Sequence, residues 1–303
     1  MFNKLGFWFL ACRPKTLTAA VVPVVVATGV ATASLGNQPD LIISFLAMLS
    51  ALSIQIGTNL INDALDFRKG ADTKARIGPM RVTQAGLLSY RQVFVGGILA
   101  FLTAIIFAVP LVMHSGWVIA AIGLASLFFG YIYTGGPLPL AYIGLGEVFV
   151  FIFFGFVATC GVFYLQTGGV NLDSFIAGTQ VVCLATVIIA VNNIRDIDGD
   201  LVAKKRTLAV RFGKGFAINE IILLAILPFL VNFYWLTKGY IAAFLLPFMA
   251  LPPAISVARG IGRVINDAVF NNTIGIQYNR LLAIAAFTHF LFGLMLYAGL
   301  SLV

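Results

Sequence analysis

Charged residues are the scarcest class in this sequence. They make up 10% of its 303 residues, whereas soluble domains average about a quarter. Apolar residues reach 60%, and the mean hydropathy is +1.01. A soluble fold of this length cannot bury so much apolar surface, so the composition predicts an integral membrane protein.

Cysteine and histidine are also rare, with 3 and 2 residues respectively. The cysteines lie in apolar surroundings without metal-ligand spacing, so we expect packing residues rather than disulfides or a zinc site. We expect His114 in an outer turn and His289 isolated in the last helix, neither of them catalytic. The net charge of +8 comes from cations that cluster beside apolar runs rather than on one exposed face, which argues against a nucleic-acid partner.

Long uncharged runs predict an all-α polytopic fold, because a helix crosses a bilayer in about 20 residues and satisfies its own backbone. Breaks at His114-Ser115-Gly116 and at Gly135-Gly136-Pro137 divide the longest run. We predict nine transmembrane helices, at residues 17–35, 41–62, 90–113, 117–134, 142–165, 175–194, 216–236, 240–258 and 281–302. We expect them to form a single domain over residues 1–303, around a central cavity.

The cations predict the orientation in the membrane. With nine spans, all but one of the 19 Lys and Arg residues fall on the side of the first residue, and only Lys238 falls opposite. The positive-inside rule therefore predicts a cytoplasmic N-terminus, cytoplasmic charged loops and a cavity that opens to the cytoplasmic side of the cell's inner membrane.

A first polar stretch, residues 59–81, follows the second apolar run. Its amides and acids, Asn59, Asn62, Asp63 and Asp66, are three and four positions apart, so they share one face of a helix end. The chain can turn after Gly70, which would let Asp72 fold back towards the same place.

A second stretch of the same character occupies residues 192–214. Asn192, Asn193, Asp196 and Asp200 again fall at helical spacings, with the two acids one turn apart. Ionisable residues at membrane depth are costly and usually functional, and acids do not serve the positive-inside bias. The two stretches therefore predict one shared site.

Oxygen ligands without histidine or cysteine suit Mg²⁺, which binds one or two carboxylates together with phosphate oxygens and water. We expect Asp63, Asp66, Asp196 and Asp200 to hold the metal, with the asparagines as neutral ligands or orienting donors. Nearby cations would bind a diphosphate, arginines through paired contacts and lysines as point charges. These cations are Lys69, Arg76, Arg81, Lys204, Lys205 and Arg206.

Three motifs carry a family resemblance that covers essentially the whole chain. They are Asn62-Asp63-Ala64-Leu65-Asp66 with Arg76-Ile77-Gly78-Pro79-Met80-Arg81, the segment from Asn192 through Gly213, and Tyr133-Thr134-Gly135-Gly136-Pro137 continuing to Glu147. Together they resemble the UbiA superfamily of intramembrane prenyltransferases, and within it the 1,4-dihydroxy-2-naphthoate polyprenyltransferase branch. The superfamily's third aspartate is absent, since position 70 is Gly70 and the next acid is Asp72. A Tyr-Pro-x-x-Lys-Arg element typical of the 4-hydroxybenzoate branch is absent too.

The resemblance implies Mg²⁺-dependent transfer of a prenyl chain from a lipid-borne prenyl diphosphate to 1,4-dihydroxy-2-naphthoate, in menaquinone or phylloquinone synthesis. Prenylation there replaces the ring carboxylate, which leaves as carbon dioxide. Phytyl and polyprenyl donors both remain open. For the acceptor we expect Tyr133, Tyr142 and Glu147, the only acid in a long uncharged region. The phenylalanines between residues 151 and 156 either face the prenyl carbocation or serve as core and lipid-facing residues.

Two alternatives stay open. A transferase of the same type could use another acceptor, such as homogentisate or 4-hydroxybenzoate. A secondary transporter could also use carboxylates on broken helices, although its site would lie at mid-membrane, whereas these acids lie at the ends of spans.

Overall fold

The structure, a computed structural model, describes residues 4–72, 77–267 and 274–303. Throughout those residues the secondary structure is helical, which confirms the predicted fold class. The described residues contain 8 helices long and apolar enough to cross a membrane, so the chain is an integral membrane protein. They are Thr18–Leu35, Leu41–Arg68, Tyr90–Ser115, Gly146–Thr167, Leu172–Arg195, Leu208–Thr237, Ile241–Val264 and Ile274–Leu300.

The predicted fourth span is shorter than the others. It forms the helix Trp117–Ile132, whose 16 residues cover about 24 Å, against about 30 Å for the hydrocarbon core. The count of nine membrane-crossing helices therefore stays a prediction.

The helices are numbered in chain order. The first half contains α1 Lys4–Ala11, α2 Thr18–Leu35, α3 Leu41–Arg68, α4 Tyr90–Ser115, α5 Trp117–Ile132 and α6 Gly146–Val150. The second half contains α7 Ala158–Thr167, α8 Leu172–Arg195, α9 Ile197–Val202, α10 Leu208–Val231, α11 Phe233–Thr237, α12 Ile241–Leu245, α13 Leu251–Asp267 and α14 Ile274–Leu300. Short 3₁₀ turns lie at Pro14–Thr16, Leu140–Tyr142 and Leu246–Ala250, and a π-helical segment, Phe151–Val157, joins α6 to α7.

Helix α8 is the centre of the bundle. It packs against α2, α10, α14 and the π-helical segment, and its buried side chains extend from Asp173 to Arg195. Because most of α8 is buried, its packing holds the residues at its end in a defined place. The second polar stretch begins at that end.

The π-helical segment approaches α8 closely because small residues meet there. A Cβ on Gly178 would lie 2.9 Å from the carbonyl oxygen of Gly155, which is too close for any side chain. The wider π turn is an uncommon element that occurs often at functional sites. Here it turns Phe153 and Phe154 towards the interior of the bundle.

Helix α3 extends beyond its predicted end at residue 62 and stops at Arg68. The first polar stretch is therefore helical through Asp66, as its spacing predicted, and its acids are buried on the bundle side of α3.

Candidate active site

A cavity of about 590 Å³ lies between α3, α4, α5, α7, α8 and the π-helical segment. One end is polar, and the remainder is lined mainly by apolar side chains. The cavity follows α3 from Asp66 to Ala47, a distance of about 28 Å at 1.5 Å per residue. Of the predicted site residues, those on its wall are Asn59, Asn62, Asp63, Asp66, Arg81, Tyr133, Asn192, Asn193, Asp196 and Lys205.

The carboxylates of the first stretch are held by neighbours on two segments, the loop after α3 and the turn that contains Tyr142. The backbone N–H of Thr83 donates to Asp63 Oδ1 at 3.1 Å. The Tyr142 hydroxyl donates to Asp66 Oδ1 at 2.9 Å, and Arg81 lies 3.6 Å from the other oxygen of Asp66. Both acids are therefore fixed towards the cavity although they are buried.

Asp72 folds back as its position after Gly70 predicted. Gly70 has φ 71°, a left-handed conformation that favours glycine and reverses the chain. Arg81 Nε then lies 3.5 Å from Asp72 Oδ2, so that Arg81 bridges Asp72 and Asp66. Asp72 is buried behind Arg81, whose side chain lines the cavity.

The second stretch brings Asp196 to the same cavity. Helix α8 ends at Arg195, and Asp196 forms the break before α9. Arg195 donates to both oxygens of Asp196 at 2.8 Å, and its third nitrogen donates to Asn279 Oδ1 at 3.0 Å. A Cβ on Gly78 would lie 2.6 Å from the Arg195 guanidinium, so the loop of the first stretch packs directly on the second.

Asp200 is buried but lies behind the cavity wall. Its backbone N–H donates to the carbonyl of Asp196 at 2.8 Å, which confirms the one-turn spacing. Its carboxylate lies 3.6 Å from Lys205 Nζ, and it is Lys205 that lines the cavity. Direct metal binding by Asp200 stays a prediction.

Tyr142 and Lys69 lie next to each other beside Asp66, behind the polar end of the cavity. Lys69 lies 4.6 Å from the centre of the Tyr142 ring and donates to the carbonyl oxygen of Thr134. Burial lowers the pKa of the Lys69 ammonium, and the charge of Asp66 partly offsets this. Burial also raises the pKa of the Tyr142 phenol, as do the charge and hydrogen bond of Asp66, so Tyr142 stays protonated and donates to that acid.

The polar groups predicted for the acceptor meet on another wall. Asn193, on the cavity wall, donates to Glu147 Oε1, which places buried Glu147 one side chain away from the cavity. The other carboxylate oxygen of Glu147 accepts no hydrogen bond from any described residue. A Cβ on Gly146 would lie 3.0 Å from the Tyr133 hydroxyl, so Tyr133 lies beside the start of this helix.

Three residues predicted to bind the diphosphate are not observed at the cavity. Lys204 and Arg206 are exposed on the loop after α9, and the backbone N–H of Arg206 donates to the carbonyl of Tyr142 at 2.9 Å. Arg76 lies outside the described residues. Diphosphate contacts by these three residues stay predictions.

The donor set fits a metal that takes part of its coordination from a substrate. Among the residues that the structure describes, no three His, Cys, Asp or Glu side chains are grouped closely enough to hold a metal alone. Asp63, Asp66 and Asp196 do face one cavity, which asparagine side chains also line. Mg²⁺ suits such a set, because it needs only one or two carboxylates when phosphate oxygens and water complete the shell.

Sequence reasoning missed two arginines that shape this site. Arg195 and Arg13 were counted only as cations beside the membrane, yet Arg195 holds Asp196 and both side chains line the cavity. The position of Arg195 directly before an acid of the second stretch was the available indication. Arg13 had no comparable motif of acids beside it.

The chain is similar to known proteins in sequence and in fold. The model of the UbiA prenyltransferase family matches residues 20–268. The 1,4-dihydroxy-2-naphthoate octaprenyltransferase of Bacillus subtilis is 34% identical over 305 residues, covering 95% of this chain and 90% of that protein. The enzyme of the same name from Haemophilus influenzae is 32% identical and covers 70% of each chain. The solved structure of a UbiA homologue from Archaeoglobus fulgidus bound to GPP and Mg²⁺ has a TM-score of 0.60 at 17% identity, covering 94% of this chain and 99% of that one.

Proposed function

The chain belongs to the UbiA prenyltransferase family, and from that premise we propose that it transfers a polyprenyl chain from an allylic diphosphate to 1,4-dihydroxy-2-naphthoate. The ring carboxylate is replaced, which gives a demethylmenaquinol-type product for menaquinone synthesis. One observation carries the proposal: acids from α3 and from the end of α8 face one cavity that extends about 28 Å along α3, from its polar end into an apolar part. That length supports a polyprenyl rather than a short donor.

We assign the polar end to the diphosphate. Arg81 and Lys205 line this end and bind the phosphate oxygens, while Asp72 and Asp200 hold them in place from behind. When bound by Asp63, Asp66 and Asp196, Mg²⁺ neutralises the leaving diphosphate. Asn62 is oriented by a hydrogen bond from the Thr134 hydroxyl, and it presents its amide to the same end.

The apolar part of the cavity protects the allylic cation from water. Phe153 and Phe154 line it, and Phe153 belongs to a cluster of rings with Phe129 and Phe149, at centroid distances of 5.1 and 6.0 Å. Aromatic faces attract a nearby cation through the ring quadrupole. Phe151 and Phe156 pack on each other instead, with ring centroids 5.7 Å apart, so we assign them to packing.

We assign the acceptor ring to the wall with Tyr133 and Asn193. As the ring carbon bonds to the prenyl carbon, the neighbouring hydroxyl loses its proton and becomes a carbonyl. Loss of carbon dioxide then returns the electron pair to that oxygen, which takes the proton back. Glu147 lies one side chain away and has one oxygen without a hydrogen bond among the described residues, so it holds this proton between the two steps.

Glu147→Gln tests this role. Glutamine keeps an oxygen for the amide of Asn193 and nearly the same volume, but it cannot hold a proton. We expect kcat to fall about 10²-fold with little change in either KM, because general bases contribute about 10²- to 10⁴-fold. Asp198→Asn is the control, since Asp198 is an acid whose side chain is 81% exposed and does not line the cavity. Equal kcat in the two variants would contradict the assignment.

The orientation of the chain in the membrane and the extent of its domain are part of the same proposal. We infer that residues 1–303 form one transmembrane domain in the cytoplasmic membrane, with the N-terminus and the polar end of the cavity on the cytoplasmic side. The support is the distribution of Lys and Arg, of which only Lys238 falls on the other side of a nine-span topology. Both substrates would then enter from the inner side of the membrane.

The assay that tests the function supplies purified protein in lipid nanodiscs with Mg²⁺ and octaprenyl diphosphate. Each acceptor is added separately, and the prenylated product is identified by mass spectrometry. We expect a decarboxylated prenyl product from 1,4-dihydroxy-2-naphthoate and none after EDTA. Product from homogentisate or 4-hydroxybenzoate instead would overturn the acceptor assignment. Substrate uptake into proteoliposomes without any turnover would favour a transporter.

A further inference from the structure

Arg13 has an unusual backbone conformation at the edge of the cavity. It lies between α1 and the 3₁₀ turn Pro14–Thr16, with φ 52° and ψ 67°. A left-handed conformation is uncommon for residues other than glycine, and strained positions of this kind cluster at ligand-binding sites. The Arg13 side chain lines the same cavity as Asp63 and Tyr133. Conformation and location together indicate a role beyond linking two helices.

The structure around Arg13 holds this conformation in place. The amide of Asn59 donates to the carbonyl of Cys12 at 3.0 Å and to the hydroxyl of Thr16 at 3.1 Å. Thr16 in turn donates to the carbonyl of Arg13, from its backbone at 2.9 Å and from its hydroxyl at 3.0 Å. Helix α3 therefore determines where the Arg13 guanidinium enters the cavity.

That entry point lies beside the assigned acceptor wall. Asn59 precedes Asp63 by one helical turn, so the turn containing Arg13 attaches about 6 Å deeper along α3 than the first carboxylate. Burial and the charges of Glu147 and Asp66 raise the pKa of the Tyr133 phenol, while Arg13 acts to lower it. The Arg13 charge is thus near enough to the Tyr133 hydroxyl to affect it.

We propose that the Arg13 guanidinium binds the ring carboxylate of the aromatic acceptor and positions the ring for attack on the prenyl carbon. The inference rests on the proposed function. In this acceptor the carbon that forms the new bond also carries the carboxylate, so the group that binds it must lie close to the diphosphate end. A guanidinium presents two parallel N–H donors that match a carboxylate. Arg13 meets both requirements.

Arg13→Asn is the informative variant, because asparagine tolerates the left-handed conformation and so preserves the turn. We expect the KM for 1,4-dihydroxy-2-naphthoate to rise about 10- to 100-fold, which corresponds to the loss of a charged hydrogen bond. The KM for octaprenyl diphosphate should stay within about 2-fold of the wild type. Arg13→Lys keeps the positive charge but not the two parallel N–H donors, so its KM for the naphthoate should lie between those of the wild type and Arg13→Asn. It also keeps the proposal testable if Arg13→Asn does not fold.

A comparison of acceptors separates carboxylate binding from a general effect on the site. Naphthalene-1,4-diol has the same ring and hydroxyls but no carboxylate. The wild type should prefer the naphthoate, and Arg13→Asn should lose that preference by raising only the KM for the naphthoate. Arg91→Gln removes an exposed cation at the start of α4 and should match the wild type.

Three results would overturn the proposal: an unchanged KM for the naphthoate, an equal rise for both acceptors, or a rise confined to octaprenyl diphosphate. The last would assign Arg13 to the diphosphate instead. Failure of the proposed function is distinguishable, because the wild type itself would then give no product from the naphthoate.

Discussion

Asp66→Asn and Asp196→Asn should each lower kcat by on the order of 10²- to 10³-fold, the usual cost of removing one group that stabilises developing charge. These acids come from α3 and from the end of α8, yet they face one cavity. Asparagine keeps the shape and removes the charge that would bind Mg²⁺. Turnover measured over a range of Mg²⁺ concentrations checks the prediction, and the apparent requirement for Mg²⁺ should rise in both variants.

Asp198→Asn is the matched control for this pair. Asp198 lies in the same stretch, two residues from Asp196, but its side chain is 81% exposed and its ion pair with Lys214 is long, at 3.9 Å. We expect wild-type turnover and stability, since exposed ion pairs contribute little. Near wild-type kcat in Asp66→Asn or Asp196→Asn at saturating Mg²⁺ would contradict the shared metal site.

Arg195→Met should reduce both stability and turnover. Arg195 is buried, donates to both oxygens of Asp196 and holds Asn279 with its third nitrogen. Methionine keeps much of the volume but removes all three hydrogen bonds and the compensating charge. Breaking a buried ion pair from one side costs about 3–5 kcal/mol. Unfolding in mixed detergent micelles measures the loss of stability, and the octaprenyl transfer assay measures the loss of turnover.

Arg195→Lys separates charge from geometry at this position, and Arg91→Met is the control at an exposed arginine. Arg195→Lys keeps a positive charge but cannot make the paired contact, so we expect intermediate stability. Arg91→Met removes an exposed cation and should leave both properties unchanged. Wild-type stability in Arg195→Met would show that the pair with Asp196 does not hold the end of α8.

The positions of the helices could largely be predicted from the sequence. The run at residues 41–62 predicted a span, and the spacing of Asp63 and Asp66 predicted that the same helix continues, as α3 does to Arg68. Lipid gives backbone polar groups no partners, so an apolar run of this length must be helical. The short helix Trp117–Ile132 shows the limit, because composition alone does not set how far a helix extends.

The individual roles of the acids could not be separated in this way. Asp196 and Asp200 are one turn apart, yet only Asp196 lines the cavity, while Asp200 contacts Lys205. Asp196 lies at the junction of α8 and α9, whereas Asp200 lies within α9, so the two acids do not belong to one continuous helix with α8. Helical spacing assumes one continuous helix, so it assigned both acids to a single face.

The sequence by itself determined the membrane class, the helical fold and the two acidic stretches, because each depends on composition or on residues within a few turns. Only the tertiary structure decided that Gly78 packs on Arg195, that Tyr142 donates to Asp66 and that Arg13 reaches the cavity. These contacts join segments far apart in the chain. They depend on how helices pack in lipid, where inner and outer faces are similarly apolar and the pattern of hydrophobic residues does not identify partners.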